Sequence, residues 1–213
     1  MKTPDLIDRL VADGGAVRTH LIARRYALGL GAGVLAAALL MAIALGVRPD
    51  LQEAARTPMF WLKWAFPASL AVASLVASLR LARPGARLGH VPVALVVPLA
   101  LVWLVALVEL ATAAPIERTH KLLGDSWREC PVNIAILAAP VFLGAFWAMR
   151  GLAPTRLVLA GAASGLLAGA VGALVYALHC TEMAAPFLGL WYVAGMLIPA
   201  SIGALLGPRL LRW

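Results

Sequence analysis

Long apolar runs alternate with short polar stretches along this chain. Six runs, 26–47, 60–79, 91–110, 132–149, 157–178 and 185–206, each supply about 20 mostly apolar residues, the length a helix needs to cross the roughly 30 Å hydrocarbon layer of a bilayer. Turn-forming sequences fall between runs: Arg48-Pro49-Asp50, Arg83-Pro84-Gly85, Ala114-Pro115 and Ala153-Pro154. The pattern predicts an all-α fold, an integral membrane bundle of six transmembrane helices. It divides the chain into a segment at 1–25 and a transmembrane domain at 26–213.

The first segment has its own pattern. Thr3 can cap a helix with Pro4 at its first position, Asp5 and Asp8 occupy the opening turns, and Gly14-Gly15 ends it. Leu6, Ile7, Leu10 and Val11 recur at three- and four-residue spacing and share one side of this short N-terminal helix. An isolated helix of this length is marginal in water, so that side needs a membrane surface, another cytoplasmic element or the groove of a partner protein.

Composition narrows the class. Hydrophobic residues are 62% of the 213 positions and charged ones 13%, which excludes a water-soluble globular domain and leaves no room for a second one. The formal charge of +8 would point to nucleic acid in a soluble protein. Here the basic residues bracket the spans, so orientation in the membrane accounts for them and no direct nucleic-acid contact is expected.

With the N-terminus inside, inner segments hold twelve of the 18 Lys and Arg residues and outer segments six, which places both termini in the cytoplasm. The first 25 residues lack a short apolar core followed by a small-residue cleavage site, so the first helix is expected to be retained. Tyr26, Trp61, Trp64, Trp127, Trp191 and Trp213 fall near span ends, where amphipathic rings sit among headgroups. Gly161, Gly165 and Gly169 repeat every four residues in the fifth span, a ridge of small residues that lets helices approach closely and places that span centrally. Pro67, Pro92, Pro98, Pro140 and Pro199 predict kinks.

Intramembrane ionisable groups mark ion paths, and this chain is poor in them. Lys63 is expected to snorkel from a span end, Glu109 closes the third span and Asn133 begins the fourth. There is no His-Glu-x-x-His pair and no phosphate-cradling loop. Gly161-Ala162-Ala163-Ser164-Gly165 sets its serine one position away from a nucleophile elbow. An enzyme is therefore not expected; the alternative to a regulatory binding protein is a small membrane transporter or metal-export component.

The most informative polar feature is the pair Cys130 and Cys180, which the topology brings to one face, before the fourth span and after the fifth. Three readings stand: a permanent disulfide, a sensing dithiol that responds to oxidation or a thiophilic metal, and unpaired thiols packed at the interface. In the second, His120, His179 and Glu182 are candidate auxiliary metal ligands. No resident cofactor is required.

Several segments together resemble the NrsF family of small six-span membrane anti-sigma factors. They are Asp5-Leu6-Ile7-Asp8-Arg9-Leu10-Val11-Ala12-Asp13 with Val17-Arg18 after it, Gly46-Val47-Arg48-Pro49-Asp50-Leu51, Cys130-Pro131, His179-Cys180 and the terminal Gly207-Pro208-Arg209-Leu210-Leu211-Arg212-Trp213. The resemblance implies a multi-pass protein of the bacterial inner membrane that sequesters an extracytoplasmic-function sigma factor at its cytoplasmic face. It also implies release on oxidative or heavy-metal stress, carried by the positions of Cys130 and Cys180. In that setting Leu6, Ile7, Leu10 and Val11 are the expected sigma contacts.

Overall fold

A computed structural model describes residues 3, 5 and 21–212. The segment carrying Leu6, Ile7, Leu10 and Val11, and Trp213 at the other end, lie outside the described residues. Among the described residues, six helices are long and apolar enough to span a membrane: α1 (Leu21–Ala44), α3 (Pro58–Leu81), α4 (Val91–Thr112), α6 (Cys130–Arg150), α7 (Leu157–Tyr176) and α8 (Ala185–Leu210). Between these spans, among residues 21–212, lie two further helices: α2 (Leu51–Ala54), a single turn, and α5 (Pro115–Leu123). Among the described residues there is no strand.

Local chemistry sets several of the ends. Thr57 caps α3, accepting a hydrogen bond from the Phe60 N–H, and Pro58 follows at the first helical position, where a missing N–H costs nothing. Pro92, expected to kink α4, sits in that helix's first turn for the same reason. Pro67, Pro98, Pro140 and Pro199 are helix-internal. α8 carries a π-helical turn at Leu188–Tyr192, a single wide turn inside an otherwise regular span.

α7 is the central helix: 61% of its apolar window is buried, against 17% for the peripheral α4. Its small residues make this geometry possible. A Cβ at Gly161 would meet the backbone of Gly203, one at Gly165 the carbonyl of Pro199, and one at Gly169 the backbone of Met196, all on α8. On another face of α7, Gly172 rests against Ile134 and Ala138 of α6. α1 docks in the same way, its buried stripe Tyr26, Gly29, Gly33, Ala37 and Met41 running at helical spacing. Gly29 and Gly33 lie directly against Gly144 and Val141 of α6. Apolar bulk is turned outward instead, with Leu35, Ile43, Val93, Leu104, Leu143 and Leu205 exposed. This arrangement suits a bundle in lipid, where leucine gains nothing by leaving hydrocarbon and backbones gain by close packing.

Candidate functional site

The ends of α1, α4 and α7 and the starts of α3, α6 and α8 share one face of the bundle, together with α2 and α5. Both cysteines are here. Cys130 opens α6, and Cys180 lies on the strap of residues 177–184 between α7 and α8. They are free thiols, 0% and 3% exposed, in one core cluster with Tyr176, Phe187 and Tyr192. The Tyr176 ring lies 6.0 Å from Tyr192 and 5.7 Å from His179 by centroid, tilted against each by about 50°. Both thiol side chains are thus buried in the bundle.

The strap has no regular secondary structure, so its backbone carbonyls need partners from elsewhere. The Cys180 carbonyl accepts hydrogen bonds from two cations, Lys63 Nζ at 2.6 Å and Arg48 Nη1 at 3.2 Å. Lys63 Nζ also donates to the Glu182 carbonyl at 2.7 Å and lies 5.6 Å from the centre of the Tyr192 ring. The remaining bonds come from the neighbouring loops and from the end of α4. The Arg48 N–H donates to Leu178 O at 3.0 Å, and His179 Nδ1 lies 2.9 Å from Gly46 O. Glu109 Oε2 accepts from the Ala185 N–H at 3.1 Å. Glu182 Oε1 accepts from the Asp125 and Ser126 N–H groups at 2.7 and 3.4 Å. That last contact requires Gly124, whose φ of +59° favours glycine and whose missing Cβ would fall 2.7 Å from the Glu182 carboxylate.

Lys63 is the largest departure from expectation. Instead of snorkelling to water it is fully buried, because two carbonyls of the strap and the Tyr192 ring face take the place of its hydration. A lysine between Trp61 and Trp64, inside an apolar run, is the signal that could have singled it out. Arg48 is satisfied differently, by a two-point fork onto Asp50, with Nε to Oδ1 and Nη2 to Oδ2 both 2.7 Å. This pairing raises the Arg48 pKa and holds the Asp50 carboxyl below its ordinary value.

Of the candidate auxiliary ligands, His179 and Glu182 are at the strap and engaged with backbone groups. His120 is exposed on α5 and faces Asp125 at 3.6 Å. Among the described residues, no group of three or more His, Cys, Asp and Glu side chains converges to hold a metal ion. Beside Cys180, a cavity of about 290 Å³ is lined by Arg48, Ser126, Glu129, Tyr176, His179 and Cys180 itself. A small reagent therefore has a polar route to the strap. Gly161, Gly165 and Gly169 lie apart from it, along the α7–α8 seam that the strap joins.

Residues 10–213 match the family described as NrsF, negative regulator of sigma F. The chain belongs to this family. A protein of Azospira oryzae named probable anti-sigma-F factor NrsF is 53% identical over 213 residues, covering all of both chains. The anti-sigma-F factor NrsF of Caulobacter vibrioides is 43% identical over 216 residues, again with complete coverage of both. No solved structure matches. The family thus spans the six-helix bundle and the strap together, and its members are named for regulation, not for a reaction.

Proposed function

We propose that this protein is an anti-sigma factor of the bacterial inner membrane that holds an extracytoplasmic-function sigma factor at its cytoplasmic face and releases it on a thiol-directed signal from outside. The observation that carries the first half is the family match over 10–213, with full-length relatives named anti-sigma-F factors. What supports the second half is the construction of the strap. Two buried thiols stand where a loop, fixed by carbonyl bonds to Lys63 and Arg48, joins the two most intimately packed helices.

Orientation follows from charge, with both termini and the arginine-rich loops in the cytoplasm and the cysteine face outside. Leu6, Ile7, Leu10 and Val11 present the apolar side that meets the sigma factor, and the protein itself makes no contact with nucleic acid. A metal acts as signal and not as cofactor. Oxidation joins the two sulfurs with loss of two protons and two electrons to the oxidant; a soft divalent ion displaces the thiol protons and takes both sulfurs as ligands. Either product alters the volume and polarity of a close-packed site, so the strap and its α7–α8 anchorage must rearrange. Release is then a shift between two conformations, and a 99:1 reversal takes about 5.5 kcal/mol of differential stabilisation.

Co-purification of the full chain with its sigma factor from membranes, before and after diamide or cadmium, tests this. Binding that is lost on treatment but kept in Cys130→Ser/Cys180→Ser supports the scheme. Loss in both proteins removes the thiols from it, and no sigma factor under any condition removes the function itself. With binding established, Leu6→Asp/Leu10→Asp should abolish it; retention would move the contact off the N-terminal segment.

A further inference from the structure

On the opposite face, the hairpin joining α3 to α4 carries Arg80, Arg83, Arg87 and His90, all exposed, in a stretch with no acidic residue between Glu53 and Glu109. Two cavities meet here. A groove of about 620 Å³ runs between α3 and α4, walled by small and apolar side chains such as Ala68, Val72 and Ala94, and ends at Arg80 and His90. Adjoining it, and sharing Val76 and Arg80, is a cavity of about 350 Å³ that Arg83 and Arg87 also line. An apolar slot thus opens onto an arginine-lined chamber.

The arginine at the junction is held in place. Arg80 Nη1 donates to Leu88 O at 2.6 Å, and Gly89, with a φ of +57°, leaves room for it, since a Cβ there would stand 2.6 Å from Nη1. Only one of its nitrogens is spent in this way, and no carboxylate pairs with Arg80, Arg83 or Arg87 among the described residues. The remaining guanidinium donors point to an anion.

We propose that this paired cavity is a binding site for an anionic phospholipid, with an acyl chain in the α3–α4 groove and the headgroup phosphate on Arg80, Arg83 and Arg87. An amphipathic ligand fits because the apolar and cationic halves are contiguous, and basic pockets between membrane helices are suited to acidic headgroups. The site does not depend on the sigma-factor proposal; the orientation given above would only assign it to the cytoplasmic leaflet. α4 is the least buried span, so a lipid seated against α3 would supply packing that the protein itself does not.

The test is lipid retention by the full chain in neutral detergent, read by native mass spectrometry while dioleoyl phosphatidylglycerol, dioleoyl phosphatidylcholine or glycerol 3-phosphate is titrated. Phosphatidylglycerol should stay bound where the other two do not. Arg80→Gln/Arg83→Gln/Arg87→Gln should weaken it by about fivefold per arginine removed. Ala94→Trp should also weaken it, by filling the groove from its exposed side without altering charge. Equal retention of phosphatidylcholine would reduce the site to ordinary lipid contact. Equal binding of glycerol 3-phosphate would make it a phosphate site with no role for the groove. Undiminished phosphatidylglycerol binding by the triple variant overturns the assignment.

Discussion

Individual side chains decide how firmly the thiols are shut away. Lys63 holds two carbonyls of the strap, yet its ammonium has itself been taken out of water. Lys63→Met removes both effects at once, so global stability should change little while the strap loses its anchor. Leaving those carbonyls under-bonded forfeits about 1–3 kcal/mol locally, and amide hydrogen exchange across residues 177–184 should accelerate by roughly 5- to 150-fold. Unchanged exchange there would mean that Arg48 alone fixes the loop. The Arg48–Asp50 fork has a pH signature. Because Asp50 titrates below its ordinary value of about 4 when folded, its contribution is complete above that value and disappears as pH falls through the lowered one. The gap in unfolding midpoint between the parent and Asp50→Asn should be constant from pH 7 to about 5 and close in more acidic buffer. Sequence gave notice of these residues unevenly. The cysteines and Glu182 stand out as rare polar groups, whereas Lys63, marked only by its place between Trp61 and Trp64, is easily read as a snorkelling lysine until the strap is seen folding over it.

Helices in this bundle are defined by where glycine permits contact. Gly165 and Gly31 make a matched comparison, since both are helical but a Cβ at the first would strike the Pro199 carbonyl and one at the second meets nothing within 4 Å. Gly165→Ala should force α7 and α8 apart at a cost of about 1–3 kcal/mol. Gly31→Ala should be neutral or gain up to about 1 kcal/mol from reduced backbone entropy. Thermal unfolding in detergent compares the two directly, and equal effects would show that the glycines matter for propensity and not for packing. At this scale the apolar runs located all six spans, because a 20-residue hydrophobic length is a strong signal. They missed α5, which is short and amphipathic, and the π-turn of α8, which has no periodicity of its own. They also passed over Gly29 and Gly33, which resemble the surrounding alanines in sequence and reveal their purpose only beside α6.

Charge gives the whole molecule two unlike faces. Among residues 21–212 every acidic side chain, from Asp50 to Glu182, lies at the cysteine face, where acids and bases bind loop backbone and each other. The opposite face has arginines and no acid among those residues, the asymmetry expected of a cytoplasmic side. This polarity was legible in the sequence, and the ridge of Gly161, Gly165 and Gly169 pointed to an enclosed α7, but nothing in the hydropathy marks α4 as the edge, since both helices are apolar throughout. Orientation is the joint on which the signalling scheme turns, because buried thiols can answer an external oxidant only if their face meets an oxidising compartment. In a Cys130→Ser/Cys180→Ser background, Glu117→Cys on exposed α5 and Arg87→Cys on the arginine hairpin place one reporter thiol at each face. A membrane-impermeant maleimide applied to intact spheroplasts should label the first and reach the second only after lysis. The reverse pattern would leave family membership and the bundle untouched. It would nevertheless put Cys130 and Cys180 in the reducing cytoplasm and Arg80 in the outer leaflet, and any signal at the strap would then have to arise inside the cell.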